Sequence, residues 1–185
     1  MTQQTVILLI AAAVVLVGTL AWLAWSSAQT RALRTHFGPE YQRAVEAAGD
    51  RRKAEAELRA RKRRVDSLRL RALAEAERTR YLEGWQSVQA RFVDEPRQAV
   101  AEADRLVGAV MNDCGYPMEE FEQRVADVSV DHPQVVTHYR AAHQVAIRDG
   151  KFPASTEELR TALLHYRALF EDLLSAPSGE PVRVG

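Results

Sequence analysis

Residues 6–25, VILLIAAAVVLVGTLAWLAW, form an unbroken run of twenty uncharged and mostly apolar positions. A helix of that length covers a bilayer core about 30 Å thick, because each residue advances it by about 1.5 Å. The run must leave water, so it either spans a membrane or is removed as a signal peptide. Only Gly18 and Thr19 depart mildly from apolar character, and a helix can satisfy the Thr hydroxyl on its own carbonyls. Trp22 and Trp25 fall at the C-terminal end, where indole rings favour the headgroup zone. Ser26, Ser27 and Ala28 offer the small residues a processing site needs, but the leader MTQQT has no Lys or Arg and the run is longer than a usual signal core. A retained single-pass cell-membrane anchor is therefore expected. No basic residue precedes it, whereas Arg31, Arg34 and Arg43 follow, which predicts that the bulk of the chain is cytoplasmic, with extracytoplasmic placement as the alternative.

Charge is unevenly distributed behind a formal net charge of zero. Residues 1–91 carry 16 Lys plus Arg against 9 Asp plus Glu, and residues 92–185 carry 9 against 16. The halves should attract one another, within or between molecules. Cys114 is the only cysteine, which excludes an internal disulfide and a Cys-rich zinc site. Its setting between Asp113 and Gly115 reads as a helix end, where a neighbouring carboxylate does not favour a thiolate.

The predicted organisation is all-α: an anchor over 1–28, a juxtamembrane and basic helical connector over 29–73, a helical bundle over 74–175 and a disordered tail over 176–185. The anchor helix continues toward Phe37, Gly38-Pro39 breaks it, and a short helix over 39–48 ends at Gly49-Asp50. The stretch 51–71 is rich in helix formers. Its residues Ala54, Leu58, Val65, Leu68 and Ala72 make a thin seam, compatible with a stalk, a fold-back onto the core or weak self-association.

Stronger stripes follow. Tyr81, Trp85, Val88 and Phe92 share one helical face, and Asp94 with Pro96 is expected to start the next helix, carrying Val100, Ala103, Val107 and Val110. A shorter helix is expected to carry Met118, Phe121, Val125 and Val128. Asp131, Pro133 and Gln134 then resemble a helix start before Val135, Val136, Tyr139, Ala142, Ala146 and Ile147, with Asp149-Gly150 as the stop. Ser155 and Glu158 form the clearest capping box, ahead of Leu159, Ala162, Leu163, Tyr166, Leu169, Phe170, Leu173 and Leu174. Five amphipathic helices joined by short turns predict a bundle.

Ten basic residues in 51–71 face only Glu55, Glu57 and Asp66. Arg51, Arg52, Arg59, Lys62, Arg63, Arg64, Arg69 and Arg71 are the candidate contacts for an anion or a partner. Anionic lipid is one such partner, but a straight helix would carry Arg51 about 39 Å from Trp25, so lipid contact needs a bend at Gly38-Pro39 or Gly49-Asp50. Nucleic acid is the weaker alternative, because no aromatic residue interleaves the basic run. His132, His138, His143 and His165 lack metal-site spacing: 138 and 143 lie about 140° apart on a helix. No metal or other cofactor is expected. Glu119, Glu120 and Glu122 suit a helix N-terminus better than acid–base work, and phosphate-loop, nucleophile-elbow and EF-hand patterns are missing. A hydrolase assembled from carboxylates and histidines is the least favoured reading, and the chain is expected not to be an enzyme.

Three segments, HFGPEY at 36–41, RFVDEPRQAVAEAD at 91–104 and SVDHPQVVTHYRAAH at 129–143, together resemble a family of uncharacterised bacterial single-span, membrane-anchored helical proteins. The resemblance covers about 31–174 and implies no activity, so it carries over no functional residue. The function expected from all these features is a membrane-anchored, non-catalytic module for protein–protein contact or homo-oligomerisation.

Overall fold

The computed structural model describes the backbone of residues 3–149 and 153–175, with side chains from residue 12 onward except that of Asp149. The described residues form eight helices and no strand: α1 (Gln3–Phe37), α2 (Pro39–Ala48), α3 (Arg51–Asp66), α4 (Glu75–Arg91), α5 (Pro96–Cys114), α6 (Phe121–Asp131), α7 (Val136–Asp149) and α8 (Thr156–Ser175). The tail 176–185 and the expected stop at Gly150 lie outside the described residues.

α1 has two physically different parts. Within Ala12–Phe37 an apolar stretch of mean hydropathy 1.4 is wholly unburied, with Val14, Leu16 and Trp22 all more than half exposed. The Thr19 hydroxyl donates to the Leu16 carbonyl at 2.8 Å, the expected internal satisfaction. One turn beyond Trp25 the surface changes: Thr30, Leu33 and Phe37 are buried. The same helix that is long and apolar enough to cross a membrane thus ends as part of a folded head.

The head has two apolar clusters with α6 between them. The larger joins α4, α5, α7 and α8, with Val125 and Val128 of α6, and includes Trp85 stacked on Phe170 at 4.7 Å between ring centres. The smaller joins Leu33 and Phe37 of α1, Tyr41 and Ala44 of α2, Ala54, Leu58 and Val65 of α3 and Val130 of α6. The thin seam in the basic stretch is therefore used for fold-back. α2 and α3 form a hairpin through Gly49, and Asp50 caps α3 by accepting the Lys53 N–H at 2.8 Å. At the α1–α2 break Gly38 has φ +47°, a conformation that favours glycine, while a Cβ there would meet only the flexible end of the Gln134 side chain.

Several local expectations are corrected. The helix expected across 51–71 stops at Asp66, because the chain then crosses the end of α5: the Arg71 N–H donates to the Cys114 carbonyl at 2.9 Å, and Leu73 is buried. Arg69, Arg71 and Ala72 are therefore not helical. Neither Asp94 nor Glu95 caps α5 with its side chain; the helix opens at Pro96, whose fixed φ suits the first helical position. α6 begins at Phe121, leaving Met118 outside it and 43 % exposed. Asp131 ends α6 and accepts the Tyr116 hydroxyl at 3.2 Å rather than starting α7. Ile147 faces outward. The capping box before α8 forms as expected, with the Ser155 N–H donating to Glu158 at 2.8 Å and the Glu158 N–H to Ser155 Oγ at 3.3 Å.

Candidate functional site

The eight candidate basic residues do not make one uniform stripe. Arg51 and Arg59 flank Glu55 at 3.3 and 3.1 Å, Lys62 holds Asp66 at 2.6 Å, and Arg71 holds Glu77 at 2.7 Å. Arg64 reaches across to α6, contacting Asp127 at 3.0 Å, and to Glu119 at 2.8 Å. Arg52, Arg63 and Arg69 are exposed and have no carboxylate partner among the described residues, and the Lys53 ammonium shares that state. Folding thus consumes five of the eight in ion pairs and leaves unpaired cations at the two ends of α3.

Two buried glutamates explain the pattern. Glu55, 6 % exposed, accepts the Thr30 hydroxyl at 3.0 Å and the Tyr41 hydroxyl at 2.9 Å. Burial by itself raises its pKa, but those hydrogen bonds and the charges of Arg51 and Arg59 outweigh it and hold the carboxyl below its ordinary value. Glu40, 2 % exposed, binds Arg140 of α7 at 3.0 Å and Arg61 of α3 at 3.3 Å. Burial pulls Arg140 below its ordinary value against the pull of Glu40, which leaves it charged because arginine starts so high. Of the pairs that join the two halves, Arg64 with Asp127 and Glu119 has the sense their net charges predict, whereas Glu40 with Arg140 runs the opposite way.

A second polar group lies in the larger cluster and is invisible to motif reading. Tyr139 and His143 of α7, Tyr166 of α8, Asp104 of α5 and Arg124 of α6 influence one another electrostatically. The His143 ring stacks on Phe121 at 3.5 Å, and the two tyrosine rings meet edge-on at 6.3 Å. Burial, with the nearby Asp104 carboxylate, pushes the Tyr166 phenol far up; burial raises Tyr139 to about 12 and pulls His143 below its ordinary value. Arg124 Nε and His143 Nδ1 are buried without a hydrogen bond, and the Tyr166 hydroxyl lies beside the Asp104 carboxylate without a well-formed one. The only sequence signal for this group was the i, i+4 spacing of Tyr139 and His143, which reads equally well as core.

The remaining histidines are divided. His132 Nδ1 lies 2.5 Å from Asp172, and His138 Nδ1 lies 2.8 Å from His165 Nδ1, a distance that requires one shared proton. His143 is separate, on Phe121. No group of three potential metal ligands occurs among the described residues. Cys114 is buried and its thiol is pushed up to about 11, chiefly by burial, so it is a poor nucleophile at neutral pH.

Comparison with protein-family models, curated proteins and solved structures finds no match to this chain.

Proposed function

We propose that this is a single-pass membrane protein whose cytoplasmic helical head is a non-catalytic module for protein contact or self-association. The observation that carries the reading is the continuity of α1, which is bare and apolar through residues 12–25 and then buries Thr30, Leu33 and Phe37 in the head. A tether that merges with its cargo holds the head close to the surface and in a defined orientation, which suits a module that meets partners at a membrane.

The non-catalytic part of the reading is supported by where the reactive groups are spent. Glu40, Glu55 and Asp127 join helices, and the Cys114 thiol is buried. Two of the three segments that resemble bacterial single-span proteins contribute to the same joints: Glu40 of HFGPEY pairs with Arg140 of SVDHPQVVTHYRAAH. Membership of that group is part of this proposal, and it fits segments that specify architecture.

Crosslinking in intact membranes followed by purification tests the function. Discrete crosslinked species containing the head are expected, and a monomer at every crosslinker concentration would count against the module. Added protease should cut the head only after the inner membrane is opened; cutting in intact spheroplasts would move the head to the other side.

A further inference from the structure

α3 runs in the same direction as α1, away from the apolar stretch. Thr30 of α1 bonds Glu55, and Glu40, just past the end of α1, pairs with Arg61. Moving along α1 from Thr30 therefore moves along α3 from Glu55, and the first turn of α3 points back toward Trp25. At about 1.5 Å per residue, Arg51 lies about 6 Å on the apolar side of Glu55, while Trp25 lies about 7.5 Å on the apolar side of Thr30. The chain breaks at both Gly38 and Gly49, and with the α1 and α3 axes side by side these breaks bring the start of α3 back toward the Trp25 end of α1.

We propose that this corner, Arg51, Arg52 and Lys53 with Arg31 of α1, docks on anionic lipid headgroups of the leaflet from which α1 emerges. The proposal rests on the reading of α1 as a span. All four residues are exposed, and Arg52 and Lys53 are not engaged by any carboxylate among the described residues. Of the nearby acids, Glu55 is buried against Thr30 and Tyr41 and answered by Arg51 and Arg59. Asp50 and Glu46 are exposed and keep their charge, so the positive excess of the corner is carried by Arg31, Arg52 and Lys53 against those two. Arg63 lies about 18 Å farther along α3, beyond a Debye length of about 8 Å, so the far end of the basic segment takes no part.

The full chain in nanodiscs tests this, with phosphatidylglycerol mixed into phosphatidylcholine or with phosphatidylcholine alone. Amide hydrogen exchange of residues 47–53 should slow in the anionic discs and recover at high salt. Each basic side chain at such a surface is worth about fivefold in binding. Arg52→Gln with Lys53→Gln should therefore abolish the slowing, and Arg63→Gln with Arg69→Gln, an equal charge change at the other end, should preserve it. Equal exchange in both disc types, or equal loss in both double variants, overturns the docking and leaves the span intact. Failure of the unmodified chain to incorporate into discs overturns the span and the docking together.

Discussion

At the scale of single residues, stability is concentrated in a few buried charges. Glu40 faces both Arg140 and Arg61, which are only 11 % and 16 % exposed, so Glu40→Ala strands two cations and should cost about 3–5 kcal/mol. Chemical denaturation of the head measures this, and a loss below about 1 kcal/mol would mean that solvent reaches both arginines. Tyr166 is a milder case, because its hydroxyl is buried beside the Asp104 carboxylate without a well-formed hydrogen bond; Tyr166→Phe should change the melting temperature little. A clear drop would show that the hydroxyl is engaged. Titration follows from His143 and His165, both held below 6.5 mainly by burial. The unfolded chain protonates first, so stability should fall as pH drops through about 6.5. Glu55 and Glu77 are held below 4.5, Glu77 at about 2, so a second loss begins below about 4.5 as the unfolded carboxylates take up protons. A melting temperature flat between pH 7 and 5 would contradict the first step. Apart from the i, i+4 pairing of Glu55 with Arg59, these partners were not legible in the sequence, since Glu40–Arg140 joins residues 100 positions apart and only the tertiary fold brings them together.

Elements were far more legible than their junctions. α2 begins and ends where Gly38-Pro39 and Gly49-Asp50 place it, and α8 follows its capping box, because these signals act within one turn of chain. The misplaced boundary at 66–71 has a tertiary cause: local propensity favours continued helix, but the Cys114 carbonyl and the larger cluster claim Arg71 and Leu73. Gly115 marks the same crossing. Its φ is +95°, and a Cβ would stand 2.7 Å from the Arg69 carbonyl oxygen, a contact with backbone that cannot swing aside. Gly115→Ala should therefore cost more than the 1–2 kcal/mol of left-handed strain alone; a thermal melt unchanged from the parent would refute the close crossing. The Trp85–Phe170 stack ties α4 to α8 at 4.7 Å, and either residue changed to Ala should cost about 3–5 kcal/mol by the same measurement.

Across the whole molecule, the basic segment is less a connector than the second half of the head. Its apolar seam closes a cluster with the end of α1 and with α6, and its charges bind carboxylates from both halves of the chain. Composition exposed the asymmetry of charge, but which arginines remain free depends on the two bends and on α6, and neither the register of α3 beside α1 nor the polar group around Asp104 has a motif. The central claim is that α1 remains attached and embedded while its last turns belong to the head. Alkaline extraction of native membranes, with mass spectrometry of the N-terminal peptide, tests it most directly. The account predicts the head in the membrane pellet, with residues 6–25 still joined to it. Recovery in the soluble fraction of a chain beginning near Gln29 would contradict it.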